Sequence, residues 1–275
     1  MQKLRPFTAL LFNGGMLLLS LLWLLPLWLM LVFASHDDAA LYQTPLPWLP
    51  GKELLANLAV LQERAPFFTA LANSALLSST YTVVGLLVSA MAGYAFARFR
   101  FTGQKLTFSL VMFTLTIPLS AVLIPQYLLI ARDLGLANNR FGVLLPYMAN
   151  ALGVFFMRQI FLSLPQEVLD AARMDGAGEW QAFWRVALPM VKPGLAALGI
   201  LLFLSAWTDY LWPMLVLSDD NMMTAPVAIG RLVNGFRVHW GGVMAGVLVM
   251  TLPFVLLFLF LQRQIVAGMT AGAVK

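Results

Sequence analysis

The stretch from Pro165 to Pro193 reads PQEVLDAARMDGAGEWQAFWRVALPMVKP, a long polar segment between two strongly apolar ones. A loop that only joins two membrane helices needs a few residues, whereas this segment has about thirty. Its pattern predicts two short amphipathic helices on either side of Gly176. Such a hairpin is typical of a docking element, and it indicates a membrane subunit that a separate cytoplasmic protein drives.

The composition places the whole chain in a membrane. Of its 275 residues 61% are hydrophobic and 11% are charged, whereas a soluble domain has about 25% charged residues. The chain has no cysteine, which excludes disulfides and thiolate metal sites, and its two histidines, His36 and His239, lie far apart in predicted loops. We therefore expect no metal site. The basic residues flank apolar segments, so membrane topology explains the pI near 9.7 better than a nucleic-acid partner does.

The hydropathy pattern predicts an all-α integral membrane protein with about six transmembrane helices, since about 20 apolar residues cross a bilayer. The first apolar run is longer than the core of a signal peptide and has no clear small-x-small cleavage site after it, so we expect it to be retained. The six predicted spans are Leu10–Ala34, Leu71–Ala97, Leu106–Ile130, Phe141–Leu162, Gly194–Leu217 and Val243–Gln262.

The distribution of basic residues orients these spans. Of the 17 Lys and Arg residues, 11 fall in segments that an inside N-terminus would make cytoplasmic, and 6 fall in the opposite loops. This asymmetry favours a cytoplasmic N-terminus and a cytoplasmic C-terminus. The sequence thus divides into a cytoplasmic segment 1–9, a transmembrane domain 10–265 and a cytoplasmic tail 266–275. Within the domain, residues 35–69 form a predicted extended external loop, residues 163–193 form the cytoplasmic polar loop, and residues 218–242 include a predicted amphipathic helix.

The polar loop contains local signals for each of its helices. Pro165 is tolerated in a first helical turn, and the acids Glu167 and Asp170 are favourable near a helix N-terminus. Gly176 is predicted to end this helix in the left-handed conformation. A second helix is predicted from about Gly178, with Pro189 near its end.

Two interpretations of the loop remain open on the residues alone. Trp180, Phe183 and Trp184 are predicted on one side of the second helix, where the tryptophans could lie on lipid headgroups. Alternatively, the small side chains of Ala171 and Ala172 could allow the first helix to approach a cleft on a partner closely.

The spacing within the loop resembles a known family. An acid followed by two alanines, a glycine after three residues, an aliphatic residue after nine more and a Leu-Pro pair resemble the EAA loop of binding-protein-dependent ABC importer permeases. In this chain the pattern is Asp170-Ala171-Ala172, Gly176, Val186 and Leu188-Pro189, with Asp170 where the family usually has Glu. The resemblance implies these ATPase-coupling residues: Glu167, Asp170, Ala171, Ala172, Asp175, Gly176, Ala177, Leu188 and Pro189.

Further segments narrow the resemblance to the smaller permease of carbohydrate-type importers. They are Asn73-Ser74, Ala92-Gly93-Tyr94-Ala95-Phe96-Ala97-Arg98, the prolines Pro118 and Pro125 of a proline-broken third span, Ala206-Trp207-Thr208-Asp209-Tyr210-Leu211-Trp212-Pro213, and the tail from Gly268 to Lys275. The resemblance implies a type I ABC importer permease in a bacterial or archaeal inner membrane. It implies half of the membrane pathway for a sugar or oligosaccharide, or alternatively for a glycerol phosphodiester or a polyol.

The same resemblance implies partner subunits, and the sequence lacks the motif with which a chain of this kind would bind a nucleotide. The partners would be a second permease, two ATPase subunits and an extracytoplasmic substrate-binding protein, in contact with membrane lipid. The chain has no GxxxxGK[ST] phosphate loop, so we expect it to be a transport subunit without cofactor, with ATP and Mg²⁺ on the partner ATPase.

Candidate pathway residues are polar or aromatic side chains in the predicted spans. Asp209 is the acid predicted inside a span, where acids usually face a cavity or a partner chain, so pairing with the second permease remains an alternative. Trp207 and Tyr210 flank it, although such aromatics are often packing or interface residues. Weaker candidates are Asn73, Gln126, Tyr147 and Asn150.

Two other classes of function are less consistent with these residues. An intramembrane enzyme would need a catalytic pair within the spans, and a secondary transporter would need coupling charges and usually paired repeats. Neither is evident, and neither explains the polar loop.

We predict that both termini lie on the cytoplasmic side, because basic residues are enriched in the segments that this orientation places inside. Reporter fusions at Lys275 and within residues 41–51 should report opposite sides of the membrane. The same side for both fusions would contradict a six-span topology.

Overall fold

A computed structural model of the chain describes residues 6–233 and 238–271, and this part of the chain is helical with no strand. The helices are α1 (Pro6–Ala34), α2 (Asp38–Leu41), α3 (Leu54–Arg64), α4 (Phe67–Arg98), α5 (Gln104–Thr114), α6 (Leu119–Tyr127), α7 (Arg140–Leu144), α8 (Ala151–Leu162), α9 (Gln166–Met174), α10 (Glu179–Gln181), α11 (Leu188–Met190), α12 (Lys192–Trp207), α13 (Leu211–Val216), α14 (Ala225–Val233) and α15 (Trp240–Ala271). π-Helical turns extend α6 (Leu128–Asp133) and join α10 to α11 (Ala182–Ala187), and a 3₁₀ turn extends α7 (Leu145–Tyr147).

Three helices are long and apolar enough to cross a membrane without a break. They are α1, α4 and α15, with spanning segments at Leu11–Ala34, Phe67–Arg98 and Trp240–Leu257. Three further candidate spans in the described chain are pairs of helices that bend by 95° between α5 and α6, by 44° between α7 and α8, and by 79° between α11 and α12. If each bent pair counts as one span, the described chain has up to six, as the hydropathy pattern predicts.

Proline accounts for the sharpest of these bends. Pro118 is extended, with φ −66° and ψ 137°, and it separates α5 from α6. Proline lacks the N–H of a helical hydrogen bond and disfavours helical backbone at the residue before it. Pro125, by contrast, lies inside α6. The predicted proline break of the third span therefore occurs at Pro118 and not at Pro125.

The predicted fifth span, Gly194–Leu217, is wrong at its C-terminal end. Helix α12 ends at Trp207, and a separate α13 begins at Leu211. Pro213 could not continue the same helix, because its ring would clash with the carbonyl four residues earlier, which belongs to Asp209. Asp209 therefore lies in a break between two helices rather than within a regular span.

The predicted extended external loop, 35–69, is partly helical, with residues 42–53 outside any helix. It contains α2 and α3, and α4 already begins at Phe67. Asn57 on α3 is buried, and its Nδ2 donates 2.8 Å hydrogen bonds to the carbonyls of Ala34 and His36. These bonds fix α3 against the end of α1, which hydropathy alone does not indicate.

The remaining expectations concern the C-terminal part of the chain. The amphipathic helix predicted within 218–242 is present as α14, with Leu232 buried and Val233 exposed, whereas Phe236 lies outside the described residues. The predicted tail, 266–275, overlaps the end of α15, and residues 272–275 lie outside the described part.

The chain divides into two compact units, one of residues 1–67 and 228–252 and one of residues 68–227 and 253–275. The second unit contains the polar loop. A hydrophobic cluster in this unit joins α4, α8 and α12 to side chains of the polar loop itself, including Leu169, Phe183 and Ala187. The loop is therefore part of this core and not a free appendage.

A glycine allows α4 and α8 to pack closely in this unit. A Cβ on Gly93 would lie 2.7 Å from Met157 Cβ and 2.8 Å from the backbone nitrogen of Arg158. Real Cβ atoms do not approach backbone this closely, so the two helices would have to separate.

We predict that Gly93→Ala destabilises the protein by about 1–3 kcal/mol, the usual cost of overpacking a core. The measurement is thermal unfolding of the purified protein in detergent. Gly14→Ala on α1 is the control, because a Cβ there meets no neighbouring atom of the described chain within 4 Å. A Gly93→Ala protein as stable as the control would contradict this contact.

Candidate functional site

The first helix of the polar loop, α9, ends at a left-handed Gly176, as the sequence predicts. Gly176 has φ +86°, the left-handed region, and its N–H donates to Arg173 O at 3.0 Å. The N–H of Ala177 donates to Ala172 O, also at 3.0 Å. These bonds satisfy carbonyls at the end of α9 that would otherwise have no partner. The predicted left-handed C-cap is confirmed.

Helix α9 has one buried face and one free face. Leu169 is fully buried against a cluster that includes Tyr94, Phe161 and Phe183. On the other side Asp170 and Ala171 are exposed, and Met174 is 88% exposed. The helix is thus held firmly by the membrane domain while it presents small and acidic residues outward.

The hairpin of the polar loop has two arms, α9 before Gly176 and the helical segment 179–190 after it. Charged side chains join these arms. Arg173 Nη1 lies 2.8 Å from Asp170 Oδ1, and Arg173 Nε lies 2.8 Å from Glu179 Oε1. The pKa of Arg173 is raised chiefly because Glu179 accepts its hydrogen bonds. Exposed ion pairs contribute only about 0–1 kcal/mol, so this network matters more for position than for stability. Sequence reasoning missed it, although opposite charges on either side of a helix-ending glycine were a usable signal.

The second arm of the hairpin combines aromatic packing with a buried core. The rings of Trp180, Phe183 and Trp184 lie 5.2–6.0 Å from one another, so they do share one side, as predicted. Phe183 is buried, whereas Trp180 is 64% exposed. Of the predicted coupling residues at the end of this arm, Leu188 is half-buried and Pro189 is exposed.

A second candidate site lies at the breaks in the spans. Tyr147 Oη donates a 2.7 Å hydrogen bond to Asp209 Oδ2, and Asn150 Nδ2 donates a 2.9 Å hydrogen bond to Tyr81 Oη. The rings of Tyr81 and Tyr147 are 5.6 Å apart. The structure therefore brings together three predicted pathway residues, Tyr147, Asn150 and Asp209, and adds Tyr81. We call these four residues the polar cluster.

Two members of the polar cluster also satisfy backbone groups at the breaks. Asn150 Oδ1 accepts from Gly153 N at 2.8 Å and caps α8, and Asp209 Oδ1 accepts from Trp212 N at 3.4 Å near the start of α13. Unsatisfied backbone groups are costly away from water, so these side chains make the breaks tolerable.

Beside the polar cluster is a small cavity of about 20 Å³, lined in part by Tyr81, Tyr147, Asp209 and Thr224. Thr224 Oγ1 is buried and has no hydrogen-bond partner in the described chain. The cavity has room for about one water molecule. In this conformation the polar cluster is a closed junction rather than an open binding site.

Four other predicted pathway residues lie outside this cavity. Asn73 is buried, its Nδ2 donates to the carbonyls of Asn221 and Met223, and its Oδ1 accepts from Arg140. The remaining three do not line the cavity either: Trp207 is buried and stacks on Phe203 at 5.4 Å, Gln126 is half-buried on α6, and Tyr210 is exposed.

Bent membrane spans, a helical hairpin joined to their core and a polar junction at the breaks are the features of a multi-pass transport permease. The chain belongs to the family of binding-protein-dependent transport system inner membrane components, which it matches over residues 85–271. It is therefore an inner-membrane permease of an ABC importer and works within a complex of several subunits. The fold class inferred from the sequence is confirmed.

Relatives and a solved structure agree with this assignment. The chain is 38% identical to the sn-glycerol-3-phosphate transport system permease protein UgpE of Yersinia pestis, over 90% of this chain and 91% of the relative. It is 33% identical to the arabinooligosaccharides transport system permease protein AraQ of Halalkalibacterium halodurans, over 100% of this chain and 99% of the relative. A chain in the crystal structure of a bacterial ABC transporter involved in the import of the acidic polysaccharide alginate matches with a TM-score of 0.76 and 25% identity, over 96% of this chain and 99% of that chain.

We predict that Asp209→Asn and Tyr147→Phe each reduce uptake by about tenfold or more, since a hydrogen bond to a charged group is worth about 1.5–3 kcal/mol. The measurement is uptake by the reconstituted complex. ATPase subunits should remain bound, because the polar loop lies at the other end of α12, about 25 Å away by helix rise.

Tyr127→Phe is the control for this prediction, because the Tyr127 hydroxyl makes no hydrogen bond within the described part of the chain. Unchanged uptake in both test variants at every substrate concentration would reduce the polar cluster to a packing feature.

Proposed function

We propose that this permease forms half of the membrane pathway for a sugar or oligosaccharide that an extracytoplasmic binding protein delivers. Its partners in this proposal are a second permease and two ATPase subunits, which bind the ATP and Mg²⁺, while this chain binds no cofactor. The observation that carries the proposal is the hairpin at residues 163–193, which is buried on one face and exposed on the other.

The exposed face of α9 is suited to a groove on an ATPase subunit. Ala171 has a side chain small enough for close approach, and the acids Glu167, Asp170 and Asp175 are all exposed where they can orient the partner. Because Leu169 is locked in the core, movement of α9 would be passed to the membrane helices. Closure of the ATPase pair would thereby switch the spans between inward-facing and outward-facing states.

The polar cluster supports an uncharged hydroxylated substrate on this chain. Asp209, Tyr147 and Asn150 offer hydrogen-bond acceptors and donors together with aromatic faces, as sugar hydroxyls and rings require. A phosphate group calls for Arg or Lys, and no basic residue is among the described residues that line the cavity.

A glycerol phosphodiester or polyol is the second candidate substrate, and the 38% identity to a glycerol-3-phosphate permease favours it. Radiolabelled arabino-oligosaccharide and sn-glycerol 3-phosphate, each supplied with its cognate binding protein, separate the two candidates. Uptake of sn-glycerol 3-phosphate but not of arabino-oligosaccharide would overturn the sugar assignment. It would also place the phosphate contacts on the second permease.

The sidedness proposed for the complex follows the distribution of basic residues. Both termini and the polar loop would face the cytoplasm, where the ATPase subunits are, because the basic residues Arg98, Arg100 and Lys105 cluster at the connection between α4 and α5.

We predict that Gly176→Val abolishes ATP-dependent uptake and binding-protein stimulation of ATP hydrolysis. A β-branched residue resists φ +86° by about 1–2 kcal/mol or more, so the end of α9 must rearrange. The measurements are uptake and ATP hydrolysis by the reconstituted complex, with membrane insertion checked by the amount of purified permease.

Gly178→Val is the matched control, two residues away in the same turn. Gly178 has φ −68° and ψ 163°, which valine adopts readily, and a Cβ there meets no described atom within 4 Å. Normal coupling in the Gly176 variant, or equal loss in both variants, would count against docking through the α9 cap.

A further inference from the structure

Arg98, the last residue of α4, binds the base of the polar loop. Its Nη2 donates to the carbonyls of Phe161 at 2.5 Å and Leu164 at 2.6 Å, and its Nη1 donates to Gln166 Oε1 at 2.6 Å. The two carbonyls belong to the end of α8 and to the turn that leads into α9, and Phe161 O also accepts from Leu164 N at 3.3 Å. One guanidinium thus binds the connection through which α9 joins the membrane domain.

The hydrogen bonds continue from Arg98 to the exposed face of α9. Gln166 Nε2 donates to Asp170 Oδ1 at 3.0 Å, and Asp170 is paired with Arg173. Two hydrogen bonds therefore connect Asp170, the acid that would face the ATPase, to Arg98 at the end of α4. The side chain of Gln166 thus links Asp170 to Arg98.

Helix α4 is suited to carry such a displacement. It runs unbroken for 32 residues, whereas the α5–α6, α7–α8 and α11–α12 spans of the same compact unit all bend. Tyr81 lies on α4 about 25 Å from Arg98 by helix rise, and its hydroxyl accepts a hydrogen bond from Asn150. This unbroken helix thus connects the base of the polar loop to the polar cluster.

On the basis of the function proposed above, we infer that Arg98 is the positioning residue through which movement of α9 reaches the polar cluster. It neither meets the transported molecule nor binds the ATPase. It holds α9 and α4 together, so that the two helices move as one body when the ATPase subunits close.

Arginine is required by the geometry of these three acceptors. The planar fork of a guanidinium directs several N–H groups at once, whereas a lysine ammonium is a compact point charge on a flexible stem. Arg98→Lys should therefore restore only part of what Arg98→Gln loses. A residue needed merely for its positive charge at the membrane surface would be replaced fully by lysine.

The first measurement is the number of substrate molecules imported per ATP hydrolysed. It uses the full reconstituted complex with radiolabelled arabino-oligosaccharide or sn-glycerol 3-phosphate as probe. We expect Arg98→Gln to keep its ATPase subunits and its basal ATP hydrolysis but to lower this ratio by about tenfold, a usual size for coupling between sites. Arg98→Lys should give an intermediate ratio.

Arg100→Gln is the matched control. Arg100 is an exposed arginine two residues further along, and its side chain makes no hydrogen bond or ion pair within the described chain. Its substitution removes the same charge from the same loop and should leave the ratio at the wild-type value. An equal loss in both variants would show that charge alone matters and would overturn the assignment.

A second measurement keeps the inference testable if the Arg98→Gln complex does not import at all. Because the chain has no cysteine, Val168→Cys on the exposed side of α9 gives a single position for a spin label. In the assembled complex without nucleotide, Arg98→Gln should make this label more mobile, and Arg100→Gln should not. Unchanged label mobility in Arg98→Gln would overturn the inference.

The two proposals fail in different ways. If the wild-type complex shows no ATP-dependent uptake of either probe, the proposed function fails. If the wild-type complex imports and the Arg98→Gln complex imports the same number of molecules per ATP, only the role of Arg98 fails.

Discussion

The burial of Leu169 is the contact on which the arrangement of the polar loop depends. This side chain is fully buried in the cluster that also contains Tyr94, Phe161 and Phe183, which come from α4, α8 and the second arm of the hairpin. Complete burial of a leucine is worth about 1.5–3 kcal/mol. The contact selects which face of α9 turns inward, and the acids and small residues on the opposite face are exposed as a consequence. The ion pair between Arg173 and Glu179 then links the two arms.

A second constraint acts on the spans themselves. Each break in a membrane helix releases backbone groups that lipid cannot satisfy, so a polar side chain must replace the lost partner. Asn150 and Asp209 do this for the N–H groups of Gly153 and Trp212. Breaks therefore concentrate polar residues inside an apolar unit, because side chains must supply the hydrogen bonds that the interrupted helix no longer makes.

Helix α4 differs from the bent spans in the same compact unit. It contains no proline, and it approaches α8 closely at Gly93, so its position is determined by packing along much of its length. A straight and well-packed helix passes on displacement, whereas a bent span can absorb it at the bend. Arg98 and Tyr81 occupy two positions on this helix that face the polar loop and the polar cluster.

The sequence by itself determined the membrane class, the approximate number of spans and the helical hairpin of the polar loop, including the left-handed Gly176. These features depend on composition, on local periodicity and on the conformational freedom of one residue, and each can be recognised within a short window. Only the tertiary structure decided that the fifth span ends before Asp209, that residues 35–69 contain helices, and that Tyr81, Arg98 and Asn57 bind where they do. The hydrogen bonds of the polar cluster join residues 62 and 69 positions apart in the chain, and those of Arg98 join residues 63–68 apart. Local patterns show that such side chains are polar in an apolar surrounding, but which partner each one meets depends on how distant helices pack.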